Sequence, residues 1–429
     1  MVADEPNAAL AARDVLDDGG SAADAAVALY FALSVTFPSA AGLGGGGVCV
    51  AYVASTGRAW SAAFLPATPA AGGGASVPGV VRGLGSLHAR LGRLPWSRLV
   101  APAEAFARAG YPISRSLDEA IARLPNRVAA APGVVDLYRL DEDGRRPGDR
   151  LRQIALSTVL ARIGRFGAGD FYTGQLAATV AGELAERGAP ITRADFRAYR
   201  PTWGAASGLP FDGATVYTAA TSGGDRLRQA WLKAEDDDGI LAIAGLPRGA
   251  PLGGVATTGF ATMDRQGNAV ACVATMFRPF GTGVRLPLTG LFVAPAAPAG
   301  AEASFDGRDY MAPVVVAAPS GVAFAGAGGG GAIAPAVLAR VGRAALGRRE
   351  PLAEALAAPR AFRIGPGEIV LREPDAAIPR DRGVETVETA ALGRVNAIFC
   401  AIGASGLSRG PCEFRPDPRG FGQALDTPS

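Results

Sequence analysis

Histidine is almost absent from this sequence. The single histidine, His88, lies in a polar, Arg-rich stretch far from any serine or cysteine motif. A Ser-His-Asp or Cys-His site needs a histidine as its general base. The sequence therefore argues against both kinds of hydrolase site.

Cysteine is also scarce. The four cysteines, Cys49, Cys272, Cys400 and Cys412, form no Cys-x-x-Cys pair. Such spacing is typical of neither a zinc site nor a disulfide framework. The sequence therefore predicts small, buried, unpaired thiols in a reducing compartment.

Strong charge, long apolar runs and an export signal are missing as well. The net charge of +3 is dispersed along the chain, which argues against nucleic-acid binding. The most apolar stretch, Ala22–Leu43, contains Asp24 and Pro38, so a buried helix is favoured over a membrane span. The opening residues, Met1–Pro6, lack the basic and apolar regions of a signal peptide. We expect a cytoplasmic protein with no nucleic-acid partner and no membrane span.

Small and apolar residues are abundant: the chain is 49% apolar and contains 59 glycines. A helix is predicted over Ala22–Ser34, with Ser21 and Asp24 as a capping box at its start. Helices dominate the first half of the chain and strands the second, with few βαβ units. This order favours an α+β fold of two antiparallel sheets with helices outside. Further predicted elements are a strand over Val48–Ala54, helices within 155–187 with one break, a strand near Gly290–Val293 and a helix over Ile333–Leu346.

A predicted β-hairpin is the most informative local feature. Its strands are Thr257–Met263 and Ala269–Met276, joined by a turn that contains Gly267. The segment before it, Gly253–Ala256, is small and flexible, and Thr257 and Thr258 follow it directly.

Threonine can act as a nucleophile without histidine when it is the first residue of a chain. Its own α-amine then serves as the base. For Thr257 this requires self-cleavage at Ala256–Thr257. The alternative is an ordinary hairpin with β-favoured threonines. The hairpin alone leaves both interpretations open.

A series of short motifs, each weak alone, occurs in one order along the chain. They are Asp18–Ala26, similar to a GGNAVDAA segment; Pro38–Gly46, similar to PHSSGIGGG; Val77-Pro78-Gly79; Leu94-Pro95-Trp96; Phe171–Gly174; Ser222-Gly223-Gly224; Ala358-Pro359-Arg360; and Asp417-Pro418-Arg419. In this order the motifs resemble the γ-glutamyltransferases, also called γ-glutamyl transpeptidases, within the N-terminal-nucleophile hydrolases. The resemblance runs over almost the whole chain.

The resemblance implies a four-layer αββα sandwich made from one precursor. Cleavage before Thr257 would give a large-subunit-like segment, residues 1–256, and a small-subunit-like segment, residues 257–429, intertwined in one domain. Thr257 would be the nucleophile, and Thr275 would hydrogen-bond it. Gly329 and Gly330 would form the oxyanion hole with their backbone N–H groups.

The departures from the family concern recognition of the glutamyl head. Four positions that contact substrate in the family carry different residues here: Leu65 for an arginine, Phe277 for an asparagine, and Asp309-Tyr310 for a serine pair. In addition, an acidic segment is replaced by Ala294–Ala299, and a histidine by Gly259. An unpaired buried substrate charge costs several kcal/mol, so a γ-glutamyl amide is not expected to be a good substrate.

Two charged residues, Arg278 and Asp309, lie at or next to these positions in the sequence. Arg278 follows Phe277, and strand alternation would turn it to the opposite face. Asp309 would repel a developing oxyanion unless it is protonated or turned away.

The resulting expectation is a divergent amide hydrolase or acyltransferase that acts on a small amide or peptide-like substrate. It would need no cofactor or metal, and its two processed fragments would remain associated. The alternative is a catalytically silent family member that serves as a binding or scaffold subunit, because the recognition groups are lost.

Overall fold

The computed structural model describes residues 1–138, 147–233, 241–242, 256–297, 307–364, 369–376, 385–401 and 412–426. The helices in these ranges are α1 Pro6–Asp17, α2 Ala22–Thr36, α3 Val80–Leu91, α4 Trp96–Ala109, α5 Arg115–Ala122, α6 Asn126–Ala129, α7 Pro132–Tyr138, α8 Ile154–Phe166, α9 Asp170–Thr173, α10 Gln175–Ala185, α11 Arg193–Ala198, α12 Ser222–Leu232, α13 Ala334–Leu346 and α14 Leu352–Ala357. The strands are β1 Val2–Ala3, β2 Gly46–Val53, β3 Arg58–Ala63, β4 Tyr111–Pro112, β5 Arg150–Leu151, β6 Thr202–Ala205, β7 Ser207–Phe211, β8 Ala214–Thr218, β9 Leu241–Ala242, β10 Thr257–Met263, β11 Ala269–Thr275, β12 Val314–Ala318, β13 Gly321–Gly329, β14 Ala361–Ile364, β15 Ile369–Arg372, β16 Glu385–Glu388, β17 Arg394–Phe399, β18 Glu413–Arg415 and β19 Gln423–Ala424.

Two antiparallel sheets form the centre of the molecule. Among the described strands, the first sheet has the order β19-β1-β10-β11-β2-β3-β6, and the second has the order β18-β17-β13-β12-β8-β7. A smaller mixed sheet, β16-β15-β14-β9, lies beside them.

Side-chain alternation divides the core into three apolar layers. Between the two sheets, Val48 and Val273 pack with residues of the second sheet such as Val315 and Ile398. The other face of the first sheet packs on α1, α2 and α3, with α4 and α8 outside them, and the other face of the second sheet packs on α12 and α13. This helix–sheet–sheet–helix order confirms the predicted α+β sandwich.

Helix α2 is buried along its whole length, as its apolar composition predicts. The Ser21 hydroxyl accepts from the Asp24 backbone and the Asp24 carboxylate accepts from the Ser21 backbone, so the predicted capping box is present. The helix continues to Thr36, two residues beyond the predicted end. The Tyr30 hydroxyl donates to the carbonyl of Gly46 at 2.6 Å, which ties α2 to the start of β2.

The predicted hairpin is formed by β10 and β11, with Thr257 paired to Thr275 and Met263 to Ala269. The Asp264 carboxylate accepts two backbone N–H groups of the turn, from Gln266 and Asn268. Strand β11 ends at Thr275, one residue before the predicted end.

The prediction of unpaired cysteines was wrong. Cys49 and Cys272 face each other on neighbouring strands, 4.1 Å apart at Cα, and form a disulfide. Cys400 and Cys412 form a second one. Sheet pairing brings together Cys49 and Cys272 across a sequence separation of 223 residues, which spacing alone does not reveal. The expected reducing compartment was inferred from unpaired thiols, and the two disulfides remove the basis of that inference.

Some predicted boundaries also differ. Residues 290–293 make only isolated bridges, Val293 with Gly44 and Phe292 with Arg285, instead of a strand. The predicted helices within 155–187 are the three segments α8, α9 and α10. Among the described residues, no helix is both long and apolar enough to cross a membrane.

Candidate active site

Thr257 lies at the first position of β10, next to the second sheet. Its side chain is buried, and its hydroxyl accepts a long hydrogen bond, 3.4 Å, from the backbone N–H of Gly330. Thr258 has other partners: its hydroxyl donates to the buried carboxylate of Asp4 at 2.7 Å. Alternation along the strand thus separates the two threonines. The predicted nucleophile is the one beside the glycines of β13.

The carbonyl oxygen of Ala256, on the other side of the predicted scissile bond, accepts two hydrogen bonds. The Thr275 hydroxyl donates at 3.1 Å and the Met276 backbone N–H donates at 3.0 Å. Thr275 also accepts from the Phe277 N–H at 2.8 Å. In the intact chain, the predicted second threonine therefore binds the scissile carbonyl. The junction residues Gly253, Gly254 and Val255 lie outside the described residues.

The second sheet approaches Thr257 through glycine. A Cβ atom at Gly329 would lie 2.5 Å from the Thr257 carbonyl oxygen, and one at Gly259 would lie 2.4 Å from the Ala327 backbone. Both distances are far below a van der Waals contact. The histidine that the resemblance aligns with Gly259 would have no room here, and the absence of side chains lets the two backbones meet beside Thr257.

Gly330 has a φ of +132°, a conformation that favours glycine. A Cβ there would lie 2.6 Å from the Cα of Gly393, so the 392–393 loop packs directly behind the predicted oxyanion glycines. This loop is held by Arg360, whose guanidinium donates to the carbonyls of Leu392 at 2.9 Å and Gly393 at 2.8 Å.

Arg360 belongs to a buried network of four charges. Its guanidinium pairs with Asp417 at 2.6 Å, and Glu373 pairs with Arg419. Glu373 also accepts the backbone N–H groups of Arg360 and Leu392. Burial lowers the pKa of Arg360, and the Asp417 carboxylate opposes this shift. In the sequence, Ala358-Pro359-Arg360 and Asp417-Pro418-Arg419 were used only as motifs of the family resemblance. Their role in a buried charge network can be recognised only in the folded structure.

The predicted substrate-contact residues fall in two places. Phe277, at φ +60°, follows the end of β11 close to Thr275, and Tyr310 lies in a 3₁₀ turn, Gly307–Tyr310. Leu65 follows β3, where a Cβ on Gly46 would lie 3.0 Å from the Leu65 Cα. Arg278 is exposed, but strand alternation does not explain it because β11 has already ended.

Asp309 is turned toward α12. Its carboxylate accepts a hydrogen bond from the Ser222 hydroxyl at the first position of that helix. Tyr310, the next residue, is buried, and the guanidinium of Arg226 on α12 covers its ring. Burial raises the pKa of Tyr310, while the Arg226 charge opposes this shift.

Two cavities accompany these residues. A narrow crevice, too tight to hold a water molecule, is lined by Thr257, Val273, Gly307, Tyr310, Met311, Gly328, Gly331 and Ala334. A larger cleft of ≈ 570 Å³ lies along Leu65, Pro66, Ala67 and Val77, with Asp195 and Arg200 on its side. Pro298 and Ala299, part of the segment that replaces the family's acidic residues, lie outside the described residues. The described part of the chain holds no cluster of three His, Cys, Asp or Glu side chains that could bind a metal.

The family model for gamma-glutamyltranspeptidase matches residues 8–236, more than half of the chain. The chain belongs to the γ-glutamyltranspeptidase family. The matched range ends before Thr257, so membership alone does not assign the nucleophile.

Known relatives agree with this family. The glutathione hydrolase proenzyme of Pseudomonas aeruginosa is 32% identical over 250 residues, 53% of this chain and 43% of that protein. Human glutathione hydrolase 5 proenzyme is 31% identical over 228 residues, 48% of this chain and 38% of that protein. The chain thus spans less than half the length of these two γ-glutamyltranspeptidase relatives.

A solved structure matches the fold over nearly the whole chain. The cephalosporin acylase from Bacillus halodurans superposes with a TM-score of 0.81, covering 98% of this chain and 94% of the acylase. Sequence identity is 21%, so this likeness establishes the fold of the γ-glutamyltranspeptidase-family chain and not its substrate.

Proposed function

We propose that the protein is an amide hydrolase or acyltransferase whose nucleophile, Thr257, is released by self-cleavage at Ala256–Thr257. The proposal rests on one observation: the Thr275 hydroxyl and the Met276 N–H both donate hydrogen bonds to the Ala256 carbonyl oxygen. Two donors on a peptide carbonyl next to a threonine hydroxyl form an oxyanion hole for attack on that carbonyl.

The proposed cleavage follows from this geometry. The Thr257 hydroxyl oxygen attacks the Ala256 carbonyl carbon, and the negative charge develops on the oxygen that Thr275 and Met276 bind. Collapse of the intermediate breaks the bond to the Thr257 nitrogen, which takes up the proton that the hydroxyl lost, and leaves an ester between Ala256 and the Thr257 hydroxyl oxygen. Water then hydrolyses the ester to an Ala256 carboxylate and a free Thr257 α-amine.

The same hydroxyl would then act on substrate. The free α-amine of Thr257 takes the hydroxyl proton as the oxygen attacks an amide carbonyl, and later gives it to the leaving amine. The backbone N–H groups of Gly329 and Gly330 would hold the oxyanion. The approach of the Gly330 N–H to the Thr257 hydroxyl oxygen, 3.4 Å in the uncleaved chain, supports this role. Water or an amine acceptor would resolve the acyl-enzyme.

Substrate choice is expected to differ from that of the named relatives. Thr257, Thr275 and Gly46 are paired across three adjacent strands, which puts Gly46 about 10 Å from Thr257. Leu65 lies against Gly46 and lines the larger cleft, whose lining also includes Asp195 and Arg200. An apolar side chain at this place cannot pair with the carboxylate of a glutamyl head, so glutathione is not expected as a substrate on physical grounds.

The Asp309 position does not argue against activity. Its carboxylate accepts the Ser222 hydroxyl, which supports the turned-away orientation that an oxyanion site requires. The two disulfides favour an oxidising compartment over the cytoplasmic location expected from sequence.

The proposal is tested by intact mass spectrometry of reduced, purified protein over time. The wild type should convert into fragments 1–256 and 257–429. Thr257→Ala should remain intact and lack amidase activity, whereas Thr258→Ala should still be cleaved, because the Thr258 hydroxyl binds Asp4 and not the junction. A wild type that stays intact after prolonged incubation would contradict the proposal and favour a silent binding subunit. Equal behaviour of the two variants would show that the nucleophile is assigned wrongly.

A further inference from the structure

One edge of β10 next to Thr257 is not covered by any of the described strands. The Ala256 carbonyl accepts the Met276 N–H at the end of β11, so backbone alternation turns the N–H of Thr257 and the carbonyl of Gly259 to the opposite edge. On that edge, the described ladder with β1 begins only at Phe260. Strand pairing therefore fixes the nucleophile end of β10 on one side and leaves the other side to side chains.

Two buried polar side chains take the place of a strand on this edge. Asp4 directly follows β1 and is 2% exposed. Its carboxylate accepts the Thr258 hydroxyl at 2.7 Å on one oxygen and the side-chain amide of Asn396 at 2.9 Å on the other. The same amide nitrogen donates to the Gly259 carbonyl at 2.7 Å. Asp4 and Asn396 thus bind the two residues that follow the predicted nucleophile.

Asn396 connects this contact to the second sheet. It lies on β17, which pairs with β13 as far as Gly329. The glycines predicted to bind the oxyanion therefore lie at the end of the strand pair to which Asp4 ties β10. The Gly330 N–H lies 3.4 Å from the Thr257 hydroxyl oxygen, so a small shift of β10 against β13 would change this approach.

We propose that Asp4 is a positioning residue for self-cleavage. Through the Thr258 hydroxyl and the Asn396 amide, its carboxylate keeps the Thr257 hydroxyl at the distance that attack on the scissile carbonyl requires. This inference rests on the proposed function and adds to it a residue from outside the hairpin. A hydrogen bond to a carboxylate is shorter and stronger than one between neutral groups, which suits a contact that fixes a distance. Displacing a reacting group by about 1 Å can slow a reaction about 100-fold.

The alternative is a contact that only stabilises the fold, and β10 contains a matched control for it. Thr258 and Thr262 are both fully buried, face the same side of the strand and each donate a hydrogen bond of 2.7 Å. Thr258 donates to Asp4, whereas Thr262 donates to the Ala22 carbonyl at the start of α2. Loss of either hydroxyl should lower stability alike, and only loss of the first should slow self-cleavage.

The rate of self-cleavage is measured by intact mass spectrometry on the full chain. Thr258→Val, which keeps the volume and removes the hydroxyl, should slow cleavage at least about tenfold and still allow it to reach completion. Thr258→Ser, which keeps the hydroxyl, should cleave within about threefold of the wild-type rate, and so should Thr262→Val. In the uncleavable Thr257→Ala background, urea unfolding should show similar losses of stability for Thr258→Val and Thr262→Val.

Asp4→Asn tests the carboxylate itself. An amide at position 4 offers a single oxygen where the carboxylate uses two, so cleavage should slow at least about tenfold. Adding Thr258→Val to Asp4→Asn should slow cleavage by less than about threefold more, because both changes break the same hydrogen bond.

A wild-type cleavage rate in Thr258→Val or in Asp4→Asn overturns the positioning role and leaves the proposed hydrolase intact. A Thr258→Ser variant as slow as Thr258→Val does the same, because the hydroxyl would then not be the group that matters. Equal slowing by Thr258→Val and Thr262→Val shows a purely structural contact and also overturns the role. A wild type that never cleaves overturns the proposed hydrolase and this role together.

Discussion

Gly329 sets how closely the second sheet can approach the predicted nucleophile. A methyl group there would lie 2.5 Å from the Thr257 carbonyl oxygen, so Gly329→Ala must push β13 away from Thr257. We expect the variant to fold with a loss of about 1–3 kcal/mol in the free energy of unfolding. Self-cleavage should slow at least tenfold, which corresponds to about 1.4 kcal/mol in the barrier. Urea unfolding and the time course of the intact mass measure the two effects.

Gly182→Ala is the control for this variant. Gly182 lies in α10, and a Cβ there meets no atom within 4 Å. Alanine should leave self-cleavage unchanged and raise the free energy of unfolding by up to about 1 kcal/mol, because it favours the helix. Wild-type cleavage in Gly329→Ala would show that the close approach of the backbones is not required.

Leu65 is the residue from which we predict the substrate specificity. Leu65, which the resemblance aligns with a family arginine for the substrate carboxylate, is half-buried along the ≈ 570 Å³ cleft. We expect γ-glutamyl-p-nitroanilide to be turned over negligibly by the cleaved protein, with kcat/KM at least about 100-fold below that of its best amide substrate. Robust hydrolysis of this compound, lost in Thr257→Ala, would restore an ordinary γ-glutamyltransferase.

Single residues were predictable only where their type carries chemistry. Thr257, Gly329 and Gly330 lie close together, and their roles stay predictions; a threonine after a small-residue junction and a glycine cluster are visible in sequence. The Met276 N–H on the Ala256 carbonyl is a backbone group and has no sequence signal.

At the scale of elements, the buried charges around Arg360 join the end of α14, the start of β14, the end of β15 and the loop behind Gly330. Asp417→Asn should destabilise the protein by about 3–5 kcal/mol, because the Arg360 guanidinium, 1% exposed, would lose its carboxylate partner. Glu350→Gln makes the same chemical change in an exposed pair with Arg348 and should cost less than about 1 kcal/mol. Urea unfolding compares them, and equal losses would contradict a structural role for the network.

Elements with strong local signals were predictable, and those defined by distant partners were not. The capped, apolar helix α2 and the hairpin β10–β11 were found within two residues of their ends. The sequence of Gly290–Val293 predicts a strand, yet Phe292 and Val293 make only single bridges, with Arg285 and Gly44. Strand propensity indicates that a residue fits a sheet, but a strand forms only where a partner strand is available to pair with it.

At the scale of the whole molecule, the two disulfides differ in what they connect. Cys49 belongs to the first proposed fragment and Cys272 to the second, whereas Cys400 and Cys412 both belong to the second. If the chain is cleaved at Ala256–Thr257, the Cys49–Cys272 bond holds the fragments together covalently. Apolar packing between the paired strands β2 and β11 would hold them together without it.

Cleaved wild-type protein should therefore run as one species on a denaturing gel without reductant and as two species with it. Its mass without reductant should exceed that of the uncleaved chain by one water. Thiol alkylation in urea should label no cysteine before reduction and all four after it, whether or not cleavage has occurred.

Double serine variants test whether the Cys49–Cys272 disulfide alone keeps the fragments together on the gel without reductant. Cys49→Ser with Cys272→Ser should release the two fragments on the gel without reductant, while Cys400→Ser with Cys412→Ser should still run as one species. The first pair should also lower the free energy of unfolding of the uncleaved chain by about 2–5 kcal/mol, because its bond closes the longer loop in the unfolded state. Two bands from the cleaved wild type without reductant would exclude a bond between Cys49 and Cys272. The two cysteines would then face each other across β2 and β11 as buried, reduced thiols, and strand pairing and apolar packing alone would hold the fragments together in the folded protein.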